Sequence, residues 1–163
     1  MSEAEKPQDK QQEKQQPSFQ IEKLYVKDVS LEIPNAPRVF IEQVQPQLEV
    51  QIANAAQSFA ENYFEVTVTA TVTAKAGERT IFLAEVAQAG IFSVRNVPAA
   101  DLDPLLGVGC PTILFPYLRE AISDLVVRGG FPPVLLSPIS FEALYMQRLQ
   151  QQQQSDKKVE IAR

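Results

Sequence analysis

Residues 64–74 read Phe-Glu-Val-Thr-Val-Thr-Ala-Thr-Val-Thr-Ala, and this stretch decides the fold. Phe64, Val66, Val68, Ala70, Val72 and Ala74 alternate with Glu65, Thr67, Thr69, Thr71 and Thr73. A repeat of two is the repeat of a strand, so one face is apolar and the other mostly threonine. Ala76-Gly77-Glu78 then turns the chain, and Arg79 to Val86 returns as a second strand of a hairpin. Upstream, Leu48, Val50 and Ile52 alternate with Glu49 and Gln51 after Pro46. Residues 19–33 add another strand, whose odd positions Phe19, Ile21, Lys23, Tyr25, Lys27, Val29, Leu31 and Ile33 are mainly apolar and are predicted to face inward. Its even positions Asp28, Ser30 and Glu32 then face solvent, and Pro34-Asn35-Ala36-Pro37 breaks it. The pattern predicts an antiparallel meander with one wet face.

The second half is predicted to be helical. Pro116 suits the first turn of a helix, where its missing N–H costs nothing, and Gly129-Gly130 would stop that helix after Arg128. Its apolar residues make a stripe wider than packing on one sheet requires, and they follow an apolar lead-in from Leu105 to Phe115. This predicts burial on two sides, with Leu118, Ile122, Leu125 and Val126 at a subunit interface. After a linker with Pro132, Pro133 and Pro138, Ser140 is the expected N-cap of a last helix carrying Phe141, Leu144, Tyr145 and Leu149 on one face. The expected class is α+β: a four-stranded antiparallel sheet over residues 19–95, with helices over 104–150 packed on one face. Polar composition predicts a disordered arm over residues 1–18 and a flexible tail over 151–163.

Composition narrows function. The 163 residues carry 15 Lys and Arg against 20 Asp and Glu, a net charge of −5 that disfavours nucleic acid as a partner. There is no histidine, which removes Ser–His, Cys–His and His-ligated metal chemistry. The single Cys110 excludes an intramolecular disulfide and sits in an apolar stretch without a nearby base, as a core residue would. Gly107-Val108-Gly109 lacks the Gly-Lys-Ser/Thr of a phosphate-binding loop, and Asp101 and Asp103 read as loop or helix-entry charge. No apolar signal opens the chain, and the longest charge-free run, Pro104 to Leu118, is too short and proline-broken to span a bilayer. The expectation is a cytoplasmic protein that inserts in no membrane and is not an enzyme.

Two features are left. Acidic residues lie on otherwise mild strand faces: Asp28 and Glu32 on the first strand, Glu85 beside Leu83 on the fourth. Pattern alone reads them as solvation and edge protection. The other is surplus apolar surface, which suits either core plus oligomer interface or an open groove for apolar ligands.

Five segments bring a resemblance. They are Tyr25-Val26-Lys27-Asp28-Val29-Ser30-Leu31-Glu32 with Pro34-Asn35-Ala36-Pro37; Gly90-Ile91-Phe92-Ser93-Val94; Cys110 to Glu120; Arg128-Gly129-Gly130-Phe131-Pro132-Pro133; and Phe141 to Met146. In this order and spacing, across residues 19–150, they resemble the SecB-type export chaperones. The resemblance implies a bacterial cytosolic homotetramer, a dimer of dimers, using neither nucleotide nor metal. Such proteins hold unfolded precursors without ATP and deliver them to the translocation ATPase at the membrane. It also implies that Asp28, Glu32, Leu83 and Glu85 form the ATPase-docking patch. With the apolar surplus, it suggests a client groove from Val44, Leu48, Val50, Ile52, Tyr117, Phe141, Leu144, Tyr145 and Leu149. Val44 stands where some relatives carry an aromatic that helps floor that groove. The family's tail often makes a second ATPase contact; here it carries Lys157, Lys158 and Arg163 with Asp156 and Glu160. The rival reading is an oligomeric adaptor with the same acidic patch and no client groove.

Overall fold

The computed structural model describes residues 15–161. Strands β1 (Ser18–Glu32), β2 (Gln47–Ala60), β3 (Tyr63–Ala76) and β4 (Arg79–Arg95) form one antiparallel sheet in the order β1-β4-β3-β2. The expected meander holds for β2, β3 and β4, but β1 pairs with β4 instead of β2. Residues 33–46, with prolines at 34, 37 and 46, are too long and too short of N–H donors for a tight hairpin. They carry the chain from one sheet edge to the other.

The clean alternation of β3 survives intact. Val66, Val68, Ala70, Val72 and Ala74 are buried, opposite Gly90, Gln88, Val86, Ala84 and Phe82 of β4. The helices cover this face. Gly90 is a point of close approach: a Cβ there would lie 2.9 Å from the Phe92 ring and 3.1 Å from Leu114.

The parity expected for β1 is corrected. Register shifts between Ile21 and Lys23 and between Val26 and Asp28 insert bulges at Glu22 and Lys27. Phe19, Ile21, Leu24, Val26, Val29 and Leu31 all pair with residues of the helix-covered face, while Lys23 and Tyr25 join Asp28, Ser30 and Glu32 on the open face. Polar contacts hold both bulges: Ser93 Oγ donates to Glu22 at 2.7 Å, and Lys27 Nζ lies 2.5 Å from Glu65.

Helical structure begins earlier than expected. Helix α1 (Ala99–Pro104) runs through a π-helical turn (Leu105–Gly109) into α2 (Cys110–Arg128). Pro116 therefore lies inside α2, with Pro111 in its first turn. Pro116 and Thr112, whose carbonyl loses its helical donor, are both exposed, so water can satisfy that carbonyl. The C-terminus follows the expected stop. Gly130 adopts φ +88°, its N–H bonds Val127 O at 3.0 Å, and Phe131 N–H bonds Val126 O at 3.3 Å, a Schellman closure.

The largest correction concerns α2. Leu118, Ile122 and Val126 are fully buried against the sheet within this one chain, so they are core residues. Leu125 keeps part of its surface, and Tyr117 and Val127 are the exposed apolar side chains of the helix. The wide stripe combines a buried face with a flanking exposed one.

Helix α3 (Phe141–Ile161) starts where predicted, with Ser140 Oγ accepting from Ala143 N–H at 3.2 Å. It continues past the expected end at residue 150, because the glutamine run is a good helix former with no glycine or proline to stop it. Lys158 in its last turn suits the negative end of the helix. Most of the arm expected over residues 1–18 lies outside the described residues. Among these, no helix is long and apolar enough to cross a membrane.

Candidate functional site

The open sheet face gathers one set of candidates. Ser30 is paired with Glu85, Glu32 with Leu83 and Asp28 with Ala87. Asp28, Glu32, Leu83 and Glu85 thus lie on one surface, opposite the helices and next to the threonine row of β3. Thr71 Oγ1 donates to Glu85 at 2.8 Å and fixes that carboxylate against the sheet. Further along, Glu65 accepts from Tyr25 Oη, from Lys27 Nζ and, at 3.2 Å, from Gln57 Nε2. The Tyr25 bond spans β4, from the strand position opposite Ala89 to the Glu65 position opposite Ile91. Lys27 foremost, then Tyr25, holds Glu65 below the usual carboxylate range. Burial, with Glu65 adding to it, pushes the Tyr25 phenol up to about 12.

The other set surrounds the crossover segment and the α2–α3 connection. Leu48, Val50 and Ile52 of β2 line a cavity of about 390 Å³ with Pro133, Val134, Leu135, Leu136 and Ile139. Val134 and Leu136 point into the core, leaving Leu135 between them 79% exposed. Arg119 holds this connection: its Nε donates to Leu136 O at 2.9 Å, and its guanidinium lies 4.8 Å from the Phe115 ring centre. A second, larger cavity of about 560 Å³ lies between the crossover segment and the end of α2, with Phe40, Val44 and Phe131 in its lining. Phe40 and Phe131 stand 5.3 Å apart, centre to centre, and Phe82 backs Phe131 at 4.7 Å. A Cβ on Gly130 would lie 3.1 Å from the Phe40 ring, so glycine lets that ring close on the helix end.

The remaining groove candidates divide. Phe141 is buried, edge-on to Phe115 at 5.8 Å, and belongs to the core instead of a groove. Ile52 and Leu144 meet in a polar cleft with Asn54 and Arg148, where Arg148 donates to Asn54 Oδ1 at 3.0 Å. Tyr145 packs on Gly107 and donates to Asp103 Oδ2 at 2.6 Å, which raises the pKa of the phenol. Leu149 is half-buried on the same helix. Tyr117 is exposed on α2 and is not among the residues lining these cavities. Sequence reasoning missed Phe40, Phe131 and Leu135. The available signal was the apolar, proline-spaced run from Phe131 to Leu136, which could not be helix or sheet core throughout. Cys110 is fully buried, and burial lifts its thiol to about 12, as suits an inert core residue.

Open apolar cavities on one side of an α+β layer, with an acidic sheet face behind, fit the class of chaperone-like binding proteins. Comparison with known proteins specifies the class. Residues 12–152 match the family described as preprotein translocase subunit SecB. The protein-export protein SecB of Chromobacterium violaceum is 63% identical over 142 residues, covering 87% of this chain and 95% of that one. That of Neisseria meningitidis serogroup B is 57% identical over 137 residues, covering 83% and 93%. The chain belongs to the SecB family of protein-export chaperones. Among solved structures, a Mycobacterium tuberculosis SecB-like chaperone, in complex with a peptide from the HigA1 antitoxin, shares the fold. Its TM-score is 0.61 at 17% identity, over 74% of this chain and 90% of that one.

Proposed function

We propose that this chaperone works in the cytoplasm, holds unfolded precursor polypeptides in the two apolar cavities without nucleotide, and passes them to the translocation ATPase at the membrane. The observation that carries the reading is the row Leu48, Val50, Leu135 and Phe40, large apolar side chains left exposed beside cavities. Each fully buried apolar side chain contributes about 1.5–3 kcal/mol, so a few client residues would offset the cost of ordering an extended segment. Apolar contact specifies little sequence, which suits many clients and excludes folded proteins, whose apolar segments are hidden. The mycobacterial neighbour is itself in complex with a peptide.

Asp28, Glu32, Leu83 and Glu85 are the proposed docking patch for the ATPase, on the face away from the client. An acidic patch favours a basic partner and makes the contact selective and salt-sensitive. The proposed assembly is a dimer of dimers. Phe19, Ile21, Val26 and Val29 on the helix side of edge strand β1, with Tyr117 and Val127 of α2, leave apolar surface that a second protomer would cover.

The test is aggregation of a chemically unfolded protein, followed by light scattering without ATP. Suppression at stoichiometric chaperone is expected. Undiminished aggregation would favour the adaptor reading and refute this one.

A further inference from the structure

The crossover segment supplies much of the larger cavity's wall, yet it is poorly anchored by apolar burial. Val39 is buried, but Phe40 is 49% exposed and Ile41 86%. Polar contacts to the start of β4 hold the segment. Asn35 Nδ2 donates to Thr80 O at 2.7 Å, and the Glu42 carboxylate pairs with Arg79. Arg79 and Thr80 lie beyond the last β1 pair, Glu32 with Leu83, so no strand neighbour reaches them from that edge. The Asn35 amide supplies a donor there. Asn35 also shapes the turn that follows: Ala36 N–H bonds Ile33 O at 3.2 Å, and Val39 N–H bonds Asn35 O at 3.1 Å. That turn sends Val39 into the core and sets Phe40 against Phe131. The Arg79–Glu42 pair is exposed on both sides and weak alone. The half-buried Asn35 bond is the firmer anchor.

We propose that Asn35 is a positioning residue for client capture: its bond to Thr80 keeps the Phe40 wall packed on Phe131, so that client side chains enter a preformed cavity. This rests on the client-groove reading above. The position requires an amide. Aspartate has the same shape but would set a carboxylate oxygen against the Thr80 carbonyl, leaving both without a donor.

The test is a double-mutant cycle on the full chain, read as affinity for fluorescein-labelled, reduced and carboxymethylated α-lactalbumin, a permanently unfolded polypeptide. Asn35→Asp is expected to weaken binding about tenfold, with no further loss in a Phe40→Ala background. In a Leu48→Ala background, which alters the other cavity, the loss should again be about tenfold. A general loss of structure would instead lower affinity alike in both backgrounds, and that result overturns the proposal. Should Asn35→Asp not fold, Asn35→Ala, which removes the donor without adding a charge, reads the same coupling, with about a threefold loss that vanishes with Phe40→Ala. No binding by the wild type would overturn the groove reading itself. Wild-type binding indifferent to Phe40→Ala would overturn the positioning role alone.

Discussion

Ile122 and Val127 lie on the same helix but face different surroundings, and truncating each should have separable effects. Ile122 is fully buried beneath the sheet, whereas Val127 is 48% exposed in the protomer. Ile122→Ala removes three carbons from a site with no surface to collapse from. At roughly 0.8 kcal/mol per methylene plus a cavity term, the cost is about 2–5 kcal/mol. Against a total stability of about 5–15 kcal/mol, that leaves a folded but weakened protein. For a chain of this size, the melting point should fall by roughly 5–15 °C. Val127→Asp should move protomer stability by only about 0.5 kcal/mol, as surface changes do. If a second protomer covers α2, the same carboxylate is buried without a partner, and the assembly should dissociate. Denaturant unfolding at fixed protomer concentration, paired with light scattering, reads both effects. An Ile122→Ala protein within about 1 kcal/mol of wild type but dissociated would refute the placement of Ile122 in the protomer's own core.

Other perturbations address the two faces. Glu32→Lys with Glu85→Lys should leave aggregation suppression intact while abolishing binding to the translocation ATPase, and wild-type binding should fall as salt rises; titration at two ionic strengths checks this. Val50→Asp places a charge in the smaller cavity and should weaken capture of unfolded protein about tenfold or more without unfolding the chain, by fluorescence titration. Glu65→Gln should cost about 1 kcal/mol at neutral pH, since the folded state holds this carboxyl low and gains stability above its unfolded pKa. That difference should shrink as pH falls below about 4.3 and vanish once Glu65 is protonated in wild type too, as denaturant midpoints along an acid series would report.

How legible each element was follows from its regularity. β3 alternates without interruption through Ala74, so its faces were plain. β1 carries the same information in a different spacing, Phe19, Ile21, Leu24, Val26, Val29 and Leu31, where steps of two and three alternate around the bulges. A strict period of two puts Leu24, Val26 and Tyr25 on the wrong faces. The acidic positions kept their placement because the second bulge precedes them. Strand order was hidden because adjacency along the chain suggests pairing, whereas the crossover prolines forbid it. Pro116 misled because a proline suits both a first turn and a solvent-facing interior turn. The width of the α2 stripe was real, but which part faces the chain's own sheet depends on its rotation about the axis. Composition cannot supply that. The groove's aromatic wall was missed for a related reason: Phe40 and Phe131 lie in irregular segments, where no period marks a face.

The bulges also decide which codons of β1 could be lost without turning the strand over. Lys27 is the extra residue between the Val26–Gln88 and Asp28–Ala87 pairs, so deleting it would close the bulge and leave every later pair in register. Deleting Ser30 has no such escape. Either Glu32 would turn beneath the helices and Leu31 out to water, or the bulge would absorb the loss and do the same to Asp28 and Val29. In each case a carboxylate from the acidic face is buried without a partner.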